Sequence, residues 1–383
     1  MSNNFKSVDR KGSGSIKWDY QVKGDQLPFT VADSDYASPK CVVTAIKKRA
    51  DEGHFGYTKL GDDYFKAIQD WYTKVHKVKI DKDWLVPVTG VLVGIKVVLE
   101  TISYRGDKVM LMTPVYSAFY HLLDSMERKI VTTELINDNE NYRFDFNDME
   151  AKFKKGVHIL LLCSPHNPVG RVWKKDELEK LVNLCQKYSV TIISDEIHSD
   201  LIMPGVEFTS MLAYQNYYNR LYVVAAPTKT FNLAGLLSAY IIVPNEINRK
   251  ACQKYQQVNF MPGVNILAAT ATKEVYTNPE AYQWMVEQNE HIYHNYEIVK
   301  KTLENKLPSV HLPKLEGTYI LWLDFSAYNI SDELIVQKLS EAGILVNKGS
   351  DYGENYRSYI RMCVACSEKQ LKDGINRMVK VFR

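Results

Sequence analysis

Six cysteines scattered over 383 residues are too few for a disulfide framework. Glycine (19) and proline (13) are sparse, no low-complexity tract interrupts the chain, and no internal repeat is found. Collagen-like, linker-rich and solenoid architectures are thereby excluded. An excess of one charge is also lacking. The 48 basic and 45 acidic residues leave a net charge of +3, too small for a protein that binds nucleic acid or a membrane surface through a broad basic field. No stretch approaches the run of about 18 uncharged apolar residues that a membrane span requires. The start, MSNNFKSVDRKGSGS, has no apolar core behind a basic end, so no secretory signal is read there. The phosphate-binding motifs G-x-G-x-x-G and G-x-x-x-x-G-K-[ST] are absent, as are His-Glu-x-x-His and paired Cys or His clusters at zinc spacing. The expectation is a cytoplasmic protein with reduced thiols and no metal.

What the chain does have is ordinary globular composition, 45% hydrophobic and 24% charged. After a polar start to about Ile16, short apolar runs of strand length recur at Trp84–Val88, Lys108–Met112, Val157–Cys163, Thr191–Ser194, Leu221–Ala225 and Ala239–Val243. Most are continuous rather than alternating, as in strands buried on both faces of a parallel sheet. Helical patterns lie between them at Val91–Ile102, Ser117–Ser125, Lys175–Tyr188 and Ile247–Gln256. This alternation predicts an α/β layer architecture. A long amphipathic stretch from Pro279 to about Leu307 follows. Beyond it come separated strands (Thr318–Phe325, Ile344–Asn347, Tyr359–Val364) and helices (Asp332–Ala342, Glu368–Phe382), read as a second, smaller α+β domain.

Ligands in open α/β sheets bind beyond the carboxyl ends of the strands, and four such ends stand out. Pro87–Leu92 runs from a strand through Gly90 into a helix, whose first N–H groups can hold a phosphate. Ser164–Arg171 brackets Asn167 between two prolines. Ile193–Asp200 places two acids and a histidine after an apolar run, where a buried carboxylate must be paired or hydrogen-bonded. Ala226–Gly235 carries Lys229 with no acid within four residues, a candidate for a desolvated amine of lowered pKa. Taken singly, each has a plain structural reading: a helix start, an Asn-Pro turn, a satisfied acid, a solvated loop lysine.

Together they resemble the pyridoxal-5′-phosphate (PLP) enzymes of fold type I, and within them the cystathionine β-lyase / cysteine-S-conjugate β-lyase family, which is class I/II aminotransferase-like. Pro28–Asp33, Phe55–Thr58, Leu315–Tyr319 and Tyr359–Met362 carry the same resemblance, which thus covers nearly the whole chain. It implies a large domain with a mostly parallel central sheet and helices on both faces, residues 49–285, and a small α+β C-terminal domain, residues 286–383. Residues 1–48 are expected to associate with the small domain.

The resemblance also implies roles. Lys229, in Thr228-Lys229-Thr230-Phe231-Asn232, matches the amine that forms a Schiff base with the cofactor's aldehyde. Asp195 matches the carboxylate that keeps the pyridine nitrogen protonated, so that the ring works as an electron sink. Asn167 matches the amide on the phenolic oxygen, with His198 expected near the same atom. Tyr116 matches the aromatic stacked on the ring. The phosphate is expected at Gly90, Val91 and Leu92, helped by Thr228. Tyr57 matches a tyrosine that reaches from the neighbouring subunit, which implies a homodimer with shared active sites. Arg361 matches the guanidinium that grips the α-carboxylate of an amino-acid substrate, and Ala32 borders that substrate together with Tyr116 and Asn167. The implied activity is carbon–sulfur β-elimination giving a thiol, pyruvate and ammonia; the alternative is amino-acid transamination. Leu237 stands where many aminotransferases carry a phosphate-pairing arginine, which favours the lyase branch. Ser34, Tyr36, Leu92 and Val93 also depart from the family's usual residues. The pair Cys363 and Cys366, directly after Arg361, is not read as a redox motif.

Overall fold

The computed structural model describes residues 7–138 and 141–383. A short strand β1 (Leu27–Pro28) and the helices α1 (Lys40–Asp51) and α2 (Asp62–Lys74) come first. Alternating elements follow: β2 (Leu85–Val88), α3 (Val91–Ile102), β3 (Lys108–Thr113), α4 (Ala118–Ser125) and β4 (Lys129–Glu134). A small hairpin, β5 (Ile136–Asn137) with β6 (Tyr142–Arg143), leads to α5 (Phe146–Lys154), β7 (Ile159–Cys163), α6 (Lys175–Lys187) and β8 (Thr191–Asp195). Next stand β9 (Leu221–Ala225), β10 (Ala239–Ile242), α7 (Glu246–Val258), α8 (Ile266–Thr277) and the long α9 (Pro279–Lys306). The C-terminal part holds β11 (Ile320–Asp324), α10 (Asp332–Glu341), β12 (Ile344–Leu345), β13 (Asn347–Lys348), β14 (Tyr359–Cys363) and α11 (Glu368–Phe382).

Seven strands form the central sheet in the order β2-β10-β9-β8-β7-β3-β4. Every residue of β7, β8, β9 and β10 is buried, which is why their sequences read as continuous apolar runs. The period of two is still visible in what each face touches. Met110, Leu160, Ile192 and Val223 join one core cluster, while Val109, Leu161, Ile193 and Val224 join the cluster on the opposite face. Helices therefore cover both sides. One strand departs from the expected parallel set: β10 is antiparallel to both β2 and β9. The connection from β9, residues 226–238, contains no crossover helix to carry the chain back, so the next strand starts at the end of the sheet where β9 finished.

A third buried cluster belongs to the C-terminal part. There β11, β14 and β13 form an antiparallel sheet packed on α10 and α11. The run expected as one strand, Ile344–Asn347, is divided between two sheets: β12 pairs with β1, and β13 pairs with β14. Phe29 and Ala32 sit in this third cluster, whereas Cys41 and Val42 of α1 pack into the first. The N-terminal segment thus changes sides just before α1. Helix α9 starts cleanly because Asn278 accepts the Glu280 N–H (2.8 Å) and Pro279 occupies the first helical position. Its Trp284 and Met285 pack in the first cluster, and its Ile292, Tyr296, Val299 and Leu303 in the third.

Gly94, in the first turn of α3, lets this helix lie tightly on the sheet. A Cβ there would come within 2.7 Å of the Val224 Cγ1 and 3.3 Å of Ile241 and Val88. No helix among the described residues is long and apolar enough to cross a membrane.

Candidate active site

The parallel strands finish along one edge of the sheet, and the loops leaving them converge on a cavity of about 460 Å³. From β2 the chain passes through Thr89 to Gly90, Val91 and Leu92, the start of α3, where backbone N–H groups without helical partners face the space. Tyr116 follows β3, Asn167 follows β7, Asp195 ends β8 with His198 just beyond, and Thr228 and Lys229 follow β9; all line the cavity. Ala32 closes it from the side of the smaller sheet. Ten residues singled out from sequence are thereby brought together. Val93, Ala234, Leu237 and Ser238 complete the wall, which is mainly aliphatic.

The chemistry of the site is set by burial. The Lys229 Nζ donates to the Ala32 carbonyl at 2.6 Å. Desolvation and the Arg361 charge lower its proton affinity, while Asp33, Cys363 and Asp195 oppose them. The Asp195 carboxyl is pushed up to about 7, chiefly by burial, even though the Ile197 N–H (3.0 Å) and Lys229 stabilise its charged form. A buried acid at such a value calls for a cationic partner in the cavity. His198 is pushed down to about 3 by burial and by the charges of Lys229 and Arg361, so its ring is neutral. That ring meets Tyr319 edge-on, with centroids 5.7 Å apart.

Arg361, on β14, is buried and does not line the cavity wall, yet its charge reaches Lys229, His198 and Tyr116. Its Nη2 donates to the Thr30 carbonyl and to Asn347 Oδ1 (2.8 Å), and its guanidinium lies over the Tyr352 ring at 5.3 Å. Sequence reading missed Asn347. The only trace it leaves is its register, opposite Arg361 across β13 and β14. Tyr57 is not brought to the cavity of its own chain. It stands fully exposed in the stretch 51–59, which is exposed at every residue. Sequence reading also missed the staple beneath Asn167. Arg171 pairs with Glu316 and with Glu177 (2.7 Å), and the Glu316 and Gly317 N–H groups both donate to the Gly170 carbonyl (2.9 Å).

Three buried polar atoms near the cavity lack a partner among the described residues: Asn167 Oδ1, His198 Nδ1 and Arg361 Nε. Buried polar groups in native proteins are seldom left so. An aromatic aldehyde phosphate with a ring nitrogen would use this donor set: an amine for the aldehyde, a carboxyl for the nitrogen, an amide for a ring oxygen and a helix start for the phosphate. PLP has that chemistry, and the residues fit it.

A mostly parallel α/β scaffold with a desolvated lysine facing a buried carboxyl over a helix N-terminus defines an enzyme of fold type I. The chain belongs to the class I and II aminotransferase family, whose model it matches over residues 24–378. Among its relatives, cystathionine beta-lyase PatB of Bacillus subtilis (strain 168) is 34% identical over 380 residues, covering 97% of this chain and 98% of its own. Two solved structures are similar over the whole chain. The PLP-bound putative aminotransferase of Clostridium difficile 630 superposes with a TM-score of 0.96 at 34% identity, covering 100% of each chain. Cystalysin of Treponema denticola, which contains a pyridoxal 5′-phosphate cofactor, gives 0.94 at 31%, covering 100% of this chain and 98% of its own.

Proposed function

We propose that this protein is a PLP-dependent carbon–sulfur β-lyase that converts cystathionine or another cysteine S-conjugate into a thiol, pyruvate and ammonia. The observation that carries the reading is the Lys229 amine, desolvated and facing the buried Asp195 carboxyl in a cavity with an aliphatic wall at Leu237. The full-length similarity to cystathionine beta-lyase PatB supports it. When bound, PLP supplies a carbonyl carbon for an amine and a cationic ring that stores the electron pair left on the substrate's Cα.

The chain's own residues do the rest. Asp195 would hold the proton on the ring nitrogen, and its carboxyl would be ionised beside that cation. Asn167 and His198 would orient the ring oxygen, and Tyr116 would cover the ring face. The N–H groups of Gly90, Val91 and Leu92, with the Thr228 hydroxyl, would hold the phosphate. Arg361 grips the substrate carboxylate, with Ala32 alongside. Lys229 Nζ, whose proton affinity burial lowers, takes the Cα proton; the C–S bond then breaks with its electron pair on sulfur. The remaining three-carbon enamine hydrolyses to pyruvate and ammonia.

Tyr57, exposed on its own chain, serves the phosphate of a second copy, so that the working unit is a cytoplasmic homodimer with two shared sites. The chain divides into 1–48, 49–285 and 286–383; the passage of α9 from the first core cluster to the third between Met285 and Ile292 supports that second boundary.

Incubating the PLP-loaded protein with L-cystathionine should release thiol, pyruvate and ammonia in equal amounts. Conversion of an added keto acid to its amino acid, without thiol release, would instead identify a transaminase.

A further inference from the structure

Residues 10–19 form a built structure that packs on residues 33–35, next in sequence to Ala32. Asp19 gathers it into a compact turn by accepting the N–H groups of Gly12 (2.7 Å), Gly14 (2.7 Å) and Ser15 (2.9 Å). The Ser15 hydroxyl accepts from Trp18 N (3.3 Å). This turn drives Lys17 inward until it is 1% exposed. Its Nζ lies 3.0 Å from Asp35 Oδ2 and 3.6 Å from Asp33 Oδ1. Arg10 completes the cluster, 2.7 Å from Asp33 and 3.4 Å from Asp35, and Trp18 Nε1 donates to Asp35 (2.9 Å). Two cations thus face two carboxylates.

Burying such charges is costly unless they are paired. Here every charge has a counter-ion, and Lys17 also donates to the Asp33 carbonyl (3.3 Å), while Asp33 Oδ1 is left without a hydrogen bond among the described residues. Burial acts to lower the Lys17 pKa, but Cys363, Asp35 and Asp33 outweigh it and keep the ammonium charged. The cluster adjoins Ala32, whose carbonyl accepts from both Lys229 Nζ (2.6 Å) and the Tyr319 hydroxyl (2.9 Å). Asp33 is therefore a carboxylate one residue removed from the amine's acceptor. Left without countercharge, it would hold Lys229 as an ammonium, which cannot attack a carbonyl.

We propose that Lys17, with Arg10, is a positioning residue for Lys229: it engages Asp33 and Asp35 so that the 32–35 turn can present its carbonyl to the amine without the Asp33 carboxylate capturing it. The groups whose charge acts on Lys229 are Arg361 on one side and Asp33, Cys363 and Asp195 on the other; the nearby His198 ring is neutral. Removing the Lys17 charge strengthens the second set against the first. The role rests on the proposed function only in taking Lys229 as the reacting amine.

The test is competitive acetylation of Lys229 across pH, read by peptide mapping on the full chain stripped of PLP. The pH dependence of the visible band after reloading is a second readout. Lys17→Met should raise the labelling midpoint by about one pH unit, a tenfold loss of free amine at fixed pH. Adding Asp33→Asn to that variant should return the midpoint towards that of the unmodified chain. Asp33→Asn alone should lower it, which keeps the test open if Lys17→Met does not fold. An unmoved midpoint in a folded Lys17→Met chain, or in Asp33→Asn, would overturn the proposal, even if stability falls. A protein that shows the shift but no lyase activity would retain this inference and lose the proposed function.

Discussion

The two walls of the cavity are held in place by different means. Asn167, Asp195 and Lys229 hang from three adjacent central strands, β7, β8 and β9. A continuous ladder fixes their register, with Leu162 opposite Ser194 and Asp195 opposite Val224. The facing side, Ala32 on the wall with Arg361 buried behind it, comes from a turn and from a three-stranded sheet. Its side chains are steadied by contacts that can be exchanged: Arg361 with Asn347 and Thr30, and the 32–35 turn with Lys17 and Arg10. The lesson is a division of labour. Groups that must keep a fixed geometry to one another are set in a backbone ladder. Groups proposed to meet an incoming carboxylate are set on side-chain bonds, which a ligand can replace.

Lys229→Ala tests the ladder-held wall most severely. Turnover should fall to background, because no second amine lines the cavity among the described residues. Borohydride reduction of the loaded native chain should place the pyridoxyl label on Lys229, and a label elsewhere would remove it from the mechanism.

Asp195→Asn should keep the cofactor and lose several powers of ten in kcat, since preorganised electrostatics is usually the largest catalytic contribution. It should also change stability. Burial raises both Asp195 and Glu196 to about 7 in the folded chain. Unfolded, each would titrate near 4, so between about pH 4 and pH 7 the folded state binds more protons than the unfolded one. Stability without PLP should therefore fall as pH rises through that window and level off above it. Urea titrations at several pH values should show a shallower fall in Asp195→Asn, with only Glu196 remaining.

Arg361→Ala probes the exchangeable wall. It should lower kcat/KM about ten- to hundredfold, on the scale of one or two charge-assisted hydrogen bonds. The loss should be similar for every amino-acid substrate, because all share the carboxylate. A loss confined to one substrate would mean that Arg361 reads a side chain instead.

A milder test concerns a third contributor, proposed to be the neighbouring copy. Co-refolding Tyr57→Phe with Lys229→Ala should restore up to about half the native activity per mixed dimer, since one site then carries both defects and the other neither. No recovery above the parents would exclude a shared site.

The same contrast explains what could be read from sequence. The ladder-held wall was legible because strands buried on both faces announce themselves as apolar runs. Lys108–Met112 and Leu221–Ala225 lie within a residue of β3 and β9. The edge strand β4, with its half-exposed sequence KIVTTE, gives no such signal and was missed, as were α1, α2, α5 and α8. Strand order and the reversed β10 depend on pairing between distant segments, which local periodicity does not contain. The cavity residues came from the four strand ends and the family resemblance, and the fold brings ten of them to one cavity. Lys17 was hidden in a stretch read as polar, because its partners lie 16 and 18 residues further along the chain. Asn347 was hidden because a hydrogen bond to Arg361 requires two strands to be in register.

Gly94 gives the start of α3, where the phosphate is proposed to sit, its reach. Helix α3 rests on the sheet at this position, one turn from Gly90, to which it is bonded (Gly94 N to Gly90 O, 2.9 Å). The missing methyl group is thus a gauge that sets how high the helix start stands above the strand tips. A side chain at 94 would act as a wedge under the helix near its fulcrum, tilting the Gly90–Leu92 amides away while Asp195 and Lys229 stayed where the ladder holds them. The cofactor would then be stretched between two anchors that no longer match, and grip on its phosphate would be lost before its ring chemistry.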